Sequence, residues 1–121
     1  MNKRCAMDDF SAKQREWDER ARNAQAAAAQ AYGRLLRRAE TSDSGQAGTI
    51  ARFLASTYNG HAYTFDLFDL RAVDVEISDD MLICLDALRW GRADLYKLVP
   101  DGDRRIERLC ADWGLSGIGQ G

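Results

Sequence analysis

The chain has one histidine, one proline and three cysteines among 121 residues. No apolar run approaches the roughly 20 residues that a membrane-spanning helix needs, so no membrane role is expected. Histidine scarcity narrows acid–base and triad chemistry. His61 stands beside the Asn59-Gly60 turn signal, and no G-x-S-x-G elbow supplies a nucleophile for it. Cys5, Cys84 and Cys110 are odd in number and lack metal-ligand spacing. Cys84 and Cys110 fall on apolar helical stripes, where thiols are usually inert. Phosphate-cradling G-x-x-x-x-G-K-[ST] and strand-linked G-x-G-x-x-G patterns are absent. Leu67 and Phe68 follow Asp66 where a calcium loop would need alternating oxygen ligands. The expectation is therefore a non-enzymatic chain with no catalytic residues, no metal and no cofactor. The N-terminus, MNKRCAMDDF, starts basic without the apolar core of a secretory signal. A cytoplasmic protein with reduced thiols is expected.

What remains is helix. Residues 8–40 carry Phe10, Trp17, Ala21, Ala24, Ala28, Ala31 and Leu35, which from Trp17 onward recur every three or four positions. The AQAAAAQA run within them favours helix intrinsically. Asp8, Asp9 or Ser11 is expected to cap the start. The small-residue seam is expected to pack on the chain's own core, with antiparallel pairing to a second copy, a homodimer, as the alternative. TSDSGQAG (41–48) breaks this helix, and Asp43 or Ser44 caps a second through Ile50, Phe53, Leu54 and Tyr58. HAYTF (61–65) is read as loop, because no second strand is there to pair with it. Asp66 caps a short helix whose apolar side is Leu67, Phe68, Leu70 and Val73. Asp74 or Ser78 starts another, with Ile77, Met81, Cys84, Leu85 and Leu88 as its stripe and Gly91 as its stop. Residues 92–100 are irregular or one helical turn. Asp101 caps a last helix that buries Ile106, Leu109, Cys110 and Trp113. The expected fold is all-α, a small single-domain bundle of about five helices with a long N-terminal helix. Within that domain, 1–30 is a helical extension, 31–115 the core and 116–121 a loose tail.

Charge is uneven along the chain. Residues 1–40 are net +3 and residues 41–121 net −5. The densest stretch is Phe65–Trp90, with Asp66, Asp69, Asp74, Glu76, Asp79, Asp80 and Asp86 against Arg71 and Arg89. Most of these acids fall at or near expected helix starts, where they complement free N–H groups and the positive dipole end. As a surface, the same acids suit a protein or ribonucleoprotein partner with a basic face. Asp69, Asp74, Glu76, Asp79 and Asp86 are the candidate contacts, with Tyr58, Tyr63 and Trp90 as aromatic anchors. The alternative is DNA contact through Arg34, Arg37 and Arg38, which end the first helix, and Arg104, Arg105 and Arg108, which start the last. A pI near 5.4 makes direct nucleic-acid binding the weaker reading.

One combined pattern covers about two-thirds of the chain. It runs through Ser44-Gly45-Gln46, Ala51-x-Phe53-Leu54 and Tyr58-Asn59. It continues with Phe65-Asp66-Leu67-x-x-Leu70-x-x-Val73-Asp74, Ile77-x-Asp79-Asp80-Met81-Leu82 and Asp112-Trp113. In this pattern, from about Ala31 to Leu115, the chain resembles an uncharacterised family of small proteins encoded on integrative conjugative elements and plasmids of proteobacteria. The resemblance implies a mobile-element setting in bacterial cytoplasm. It implies no enzyme activity and supplies no functional residues to carry over. Mobile elements carry many small, acidic, non-enzymatic proteins that antagonise host defence, anti-CRISPR proteins among them. The expected function is stoichiometric binding to a protein or ribonucleoprotein complex, with an anti-defence inhibitor of the anti-CRISPR kind as one form of it. A DNA-associated accessory or regulatory role in element transfer is the alternative.

Overall fold

A computed structural model describes the backbone of residues 6–115 and the side chains of residues 9–115. Cys5, expected as a reduced thiol, and the tail 116–121, expected to be loose, lie outside the described residues. Four α-helices follow in order: α1 (Ala6–Thr41), α2 (Gly45–Tyr58), α3 (Val75–Trp90) and α4 (Gly102–Asp112). Two short 3₁₀ turns, Leu67–Arg71 and Leu95–Leu98, lie before and after α3. The fold is all-α with a long N-terminal helix, and no strand forms among the described residues. The short helix expected after Asp66 forms as a 3₁₀ turn, so about five helices appear among the described residues as four α-helices and two 3₁₀ turns. No helix among the described residues is long and apolar enough to cross a membrane.

The core sits where α1 lies across the other elements. Its centre is Tyr32, Leu35 and Leu36 of α1, Ile50, Phe53 and Leu54 of α2, Met81 and Cys84 of α3, Leu95, and Ile106 of α4. Each such large side chain contributes roughly 1.5–3 kcal/mol through burial. The α1 stripe of Ala21, Ala24, Ala28 and Ala31 is buried, and α3 is its main neighbour. Side chains this small let a second helix approach closely. Arg20 stacks on Trp90, Arg34 binds Asp80 and Arg38 reaches Glu76. Those contacts run in opposite chain sense, so α1 and α3 are antiparallel. The expected stripe fails at its N-terminal end, because Phe10 and Trp17 are exposed. They lie beyond the last turn that α3 covers.

Local signals explain most of the element ends. The Ser44 hydroxyl accepts from the Ala47 N–H at 3.2 Å and caps α2. Gly91 ends α3 with φ 64°, a left-handed conformation that favours glycine. α1 already includes Ala6, so Asp8, Asp9 and Ser11 are interior backbone positions rather than caps. Asp101 holds the N-cap position of α4 at φ 55°, yet its side chain makes no capping bond. Asp74 likewise precedes α3 without one. Asp79 and Asp80 fall past the first turn of α3, so neither serves as a cap. Gly102 lies so close beneath the Tyr96 carbonyl that an added Cβ would collide with it. That contact seats the second 3₁₀ turn on α4 and buries Leu95 and Val99.

Candidate functional site

The stretch Phe65–Trp90 sorts its apolar residues differently from its periodicity. Phe65 turns inward and meets Phe53 edge-on at 5.3 Å. The Asp66 carboxylate accepts from the Phe68 N–H at 2.9 Å, starting the 3₁₀ turn. Five residues at three per turn cannot present one broad buried face. Leu70 and Val73 are half-buried, while Leu67 and Phe68 are each 70% exposed. Both were expected on the buried side, and both stand in solvent. The Arg71 guanidinium covers one face of Phe68 at 5.1 Å.

Helix α3 buries Ile77, Asp80, Met81, Cys84 and Ala87. On its outer side Val75, Asp79, Leu82 and Asp86 recur at helical spacing, all exposed. Leu88, expected in the core, is exposed as well. It lines a groove of about 490 Å³ with Leu85, Leu67, Phe65, Tyr63 and Phe53. The result is a surface that alternates large apolar side chains with carboxylates.

The acids are less bare than the sequence suggests. Asp69 lies 3.9 Å from Arg52, Glu76 3.8 Å from Arg38, and Asp86 2.8 Å from Arg89. Asp80 is buried and receives two bonds from Arg34, at 2.8 and 3.1 Å. Among the described residues, no arginine or lysine side-chain nitrogen lies within 4 Å of the Asp66, Asp74 or Asp79 carboxylate. The Asp74 N–H donates to Gln46 Oε1 at 2.7 Å, tying the start of α3 to α2. Of the candidate contacts, Asp74, Asp79 and Asp86 flank the exposed apolar residues, and Glu76 projects into solvent. Exposed pairs at these distances are worth little, so their carboxylates stay available to a partner.

The candidate aromatic anchors serve the fold. Tyr58 packs edge-on against Tyr96 at 5.0 Å. Tyr63 is half-buried beside Cys110, whose proximity raises the tyrosine pKa. The guanidinium groups of Arg20 and Arg89 lie 5.3 and 4.8 Å from the centre of the Trp90 ring. The arginine set also divides. Arg34 is spent on Asp80, whose hydrogen bonds raise the guanidinium pKa, and Arg38 leans to Glu76. Arg105 makes a two-point contact with Glu40, at 2.8 and 2.9 Å, joining α4 to α1. Arg37, Arg104 and Arg108 are exposed and make no ion pair among the described residues.

Among the described residues the reactive groups do not converge. His61 is exposed, held in a turn where Asn59 Oδ1 accepts the His61 and Ala62 N–H groups at 3.1 Å. Burial pushes the Cys84 thiol up to about 12, and burial also raises Cys110. Among the described residues no three His, Cys, Asp or Glu side chains gather as a metal site would require. Leu67, Phe68, Val75, Leu82 and Leu88 were not among the expected contact residues. One signal was available: Val75 and Leu82 form a second apolar stripe, offset from Ile77–Met81–Cys84.

A protein-family model matches residues 29–114; its description is "Family of unknown function (DUF7673)". No curated protein and no solved structure matches the chain.

Proposed function

The chain belongs to the DUF7673 family of unknown function, and we propose that it is a non-enzymatic docking protein that binds a protein or ribonucleoprotein through the Leu67–Leu88 face. The observation that carries this reading is exposure: Leu67 and Phe68 at 70% and Val75 at 73%, beside Leu82 and Leu88. Large apolar groups of this kind, rimmed by polar ones, mark interaction surfaces. The partner has an apolar element that enters the groove and a basic rim that meets Asp74, Asp79 and Asp86. Buried thiols and an isolated His61 support binding rather than catalysis. The resemblance to mobile-element proteins supports a bacterial cytoplasmic setting and stoichiometric inhibition of a defence complex, in the manner of an anti-CRISPR protein.

Affinity purification from a bacterial host, with quantitative mass spectrometry, tests the face directly. Phe68→Ser with Leu82→Ser is expected to lose the partner that the unaltered chain retains, and Asp79→Lys to weaken it. Equal recovery with all these variants would overturn the reading. The exposed Arg37, Arg104 and Arg108 support the second reading, a DNA-associated accessory protein. No binding to duplex DNA at about 50 mM salt, where phosphate contacts are strong, removes it.

A further inference from the structure

We infer that the protein dimerises by antiparallel pairing of the exposed N-terminal turns of α1, Asp9–Arg20, with the same turns of a second copy. The α1 stripe that packs on α3 does not stop where α3 stops. Arg20 on Trp90 and Asp18 on Arg92, at 2.6 Å, mark the edge of the body. Beyond that edge Trp17 and Phe10 continue the same stripe, 41% and 65% exposed. They are seven residues apart and share a helix face. α3 runs antiparallel to α1 and is capped at Gly91. A second α1 running antiparallel extends the groove-filling role of α3 over these uncovered turns.

Charge selects the partner. Along one flank of the Phe10–Trp17 face lie Asp9, Lys13, Glu16 and Arg20, all exposed. Their signs read minus, plus, minus, plus. Reversed, the same flank reads plus, minus, plus, minus, so an antiparallel copy is complementary at every position. The register that sets Lys13 opposite the partner's Glu16 brings Asp9 toward the partner's Arg20, whose guanidinium stacks on its own Trp90. Both pairs centre on the point between Gln14 and Arg15. In that register Phe10 lies about 3 Å along the axis from the partner's Trp17, so each chain's phenyl ring meets the other's indole. Four aromatics at about 150–250 Å² each bury less than a stable interface of roughly 1,200–2,000 Å². The dimer is therefore weak and concentration-dependent.

Sedimentation velocity of the full chain, carried up to about 1 mM, the weak end of specific association, tests the pairing. A shift from monomer to dimer with concentration is expected, lost in Trp17→Ser and in Phe10→Ser. Circular dichroism checks that those variants keep their helix. Charge variants carry the test independently. Lys13→Glu and Glu16→Lys each place two like-charge pairs in the homodimer and leave monomer. Mixed in equal amounts, the two variants form a heterodimer with both pairs restored, which no effect within one helix reproduces. A wild-type chain that stays monomeric overturns the inference. So does a dimer that survives the charge variants, a failure of mixing to restore association, or a dimer abolished by Phe68→Ser instead.

Discussion

Arg34→Ala is expected to destabilise the fold more than Asp80→Ala, although the two residues share one ion pair. The difference comes from where each charge is left. The Asp80 side chain is 11% exposed and the Arg34 side chain 47% exposed. Without Arg34, the carboxylate loses both its bonds and stays nearly buried against Met81 and Cys84. Breaking a fully buried pair in this way costs about 3–5 kcal/mol. Water entering through the vacated arginine space lowers that here to about 2–3 kcal/mol. Without Asp80, the guanidinium returns to water. A half-exposed pair is lost, worth about 1 kcal/mol, and alanine in the middle of α3 returns about half of that through helix propensity. A gap of roughly 1.5–2.5 kcal/mol between the two variants follows. Urea denaturation followed by tryptophan fluorescence measures it, since Trp113 is half-buried on the core. Equal costs, or a greater cost for Asp80→Ala, would refute the claim that desolvation of the carboxylate dominates this pair.

Gly102→Ala is expected to cost about 2–3 kcal/mol, because the new Cβ meets the Tyr96 backbone carbonyl, which cannot rotate away, and Val99 Cγ2 at 3.1 Å; an unchanged urea midpoint would contradict that packing. Stability is expected to fall in alkali. Cys84 rises from 9.0 to about 12 on folding and burial also raises Tyr32, so both favour folding in their neutral forms. Their contribution is complete below pH 9 and is lost as pH climbs toward 12; Cys84→Ala is expected to flatten that alkaline limb in a pH series of thermal melts. Cys84 is expected to resist a thiol reagent at neutral pH until the chain unfolds, and labelling as fast as a free thiol would count against its burial. Leu67→Ser and Phe68→Ser are expected to move stability by less than about 0.5 kcal/mol, as exposed positions do; a large drop in melting temperature would show that these side chains support the core.

Most element positions were legible because their causes are local. Ser44 caps α2, Gly91 stops α3 and Asn59-Gly60 closes α2, each through bonds or backbone angles set within a few residues. Ile77, Met81 and Cys84 share a face at any helical period, and they are buried. The candidate site was less legible. Acids counted along Phe65–Trp90 gave one acidic block, but arginines from α1 and α2 come within 4 Å of three of them. Those partners lie on other helices, 17 to 46 residues away, and no spacing rule connects them. Asp79 and Asp80 look alike in sequence, yet the 100° between them puts one in water and the other in the core.

By itself the sequence determined that this is a helical chain and where most of its helices begin and end, within a turn or so. These follow from propensity, capping and periodicity, which act over one or two turns. Tertiary structure decided which apolar residues are covered. Phe10 and Trp17 lie on the same helix stripe as Ala21 and Ala24 but fall past the end of α3. Leu67 and Phe68 sit on a 3₁₀ turn too short to bury both sides. Burial depends on what another element places opposite a residue, and that is fixed by packing across the whole chain.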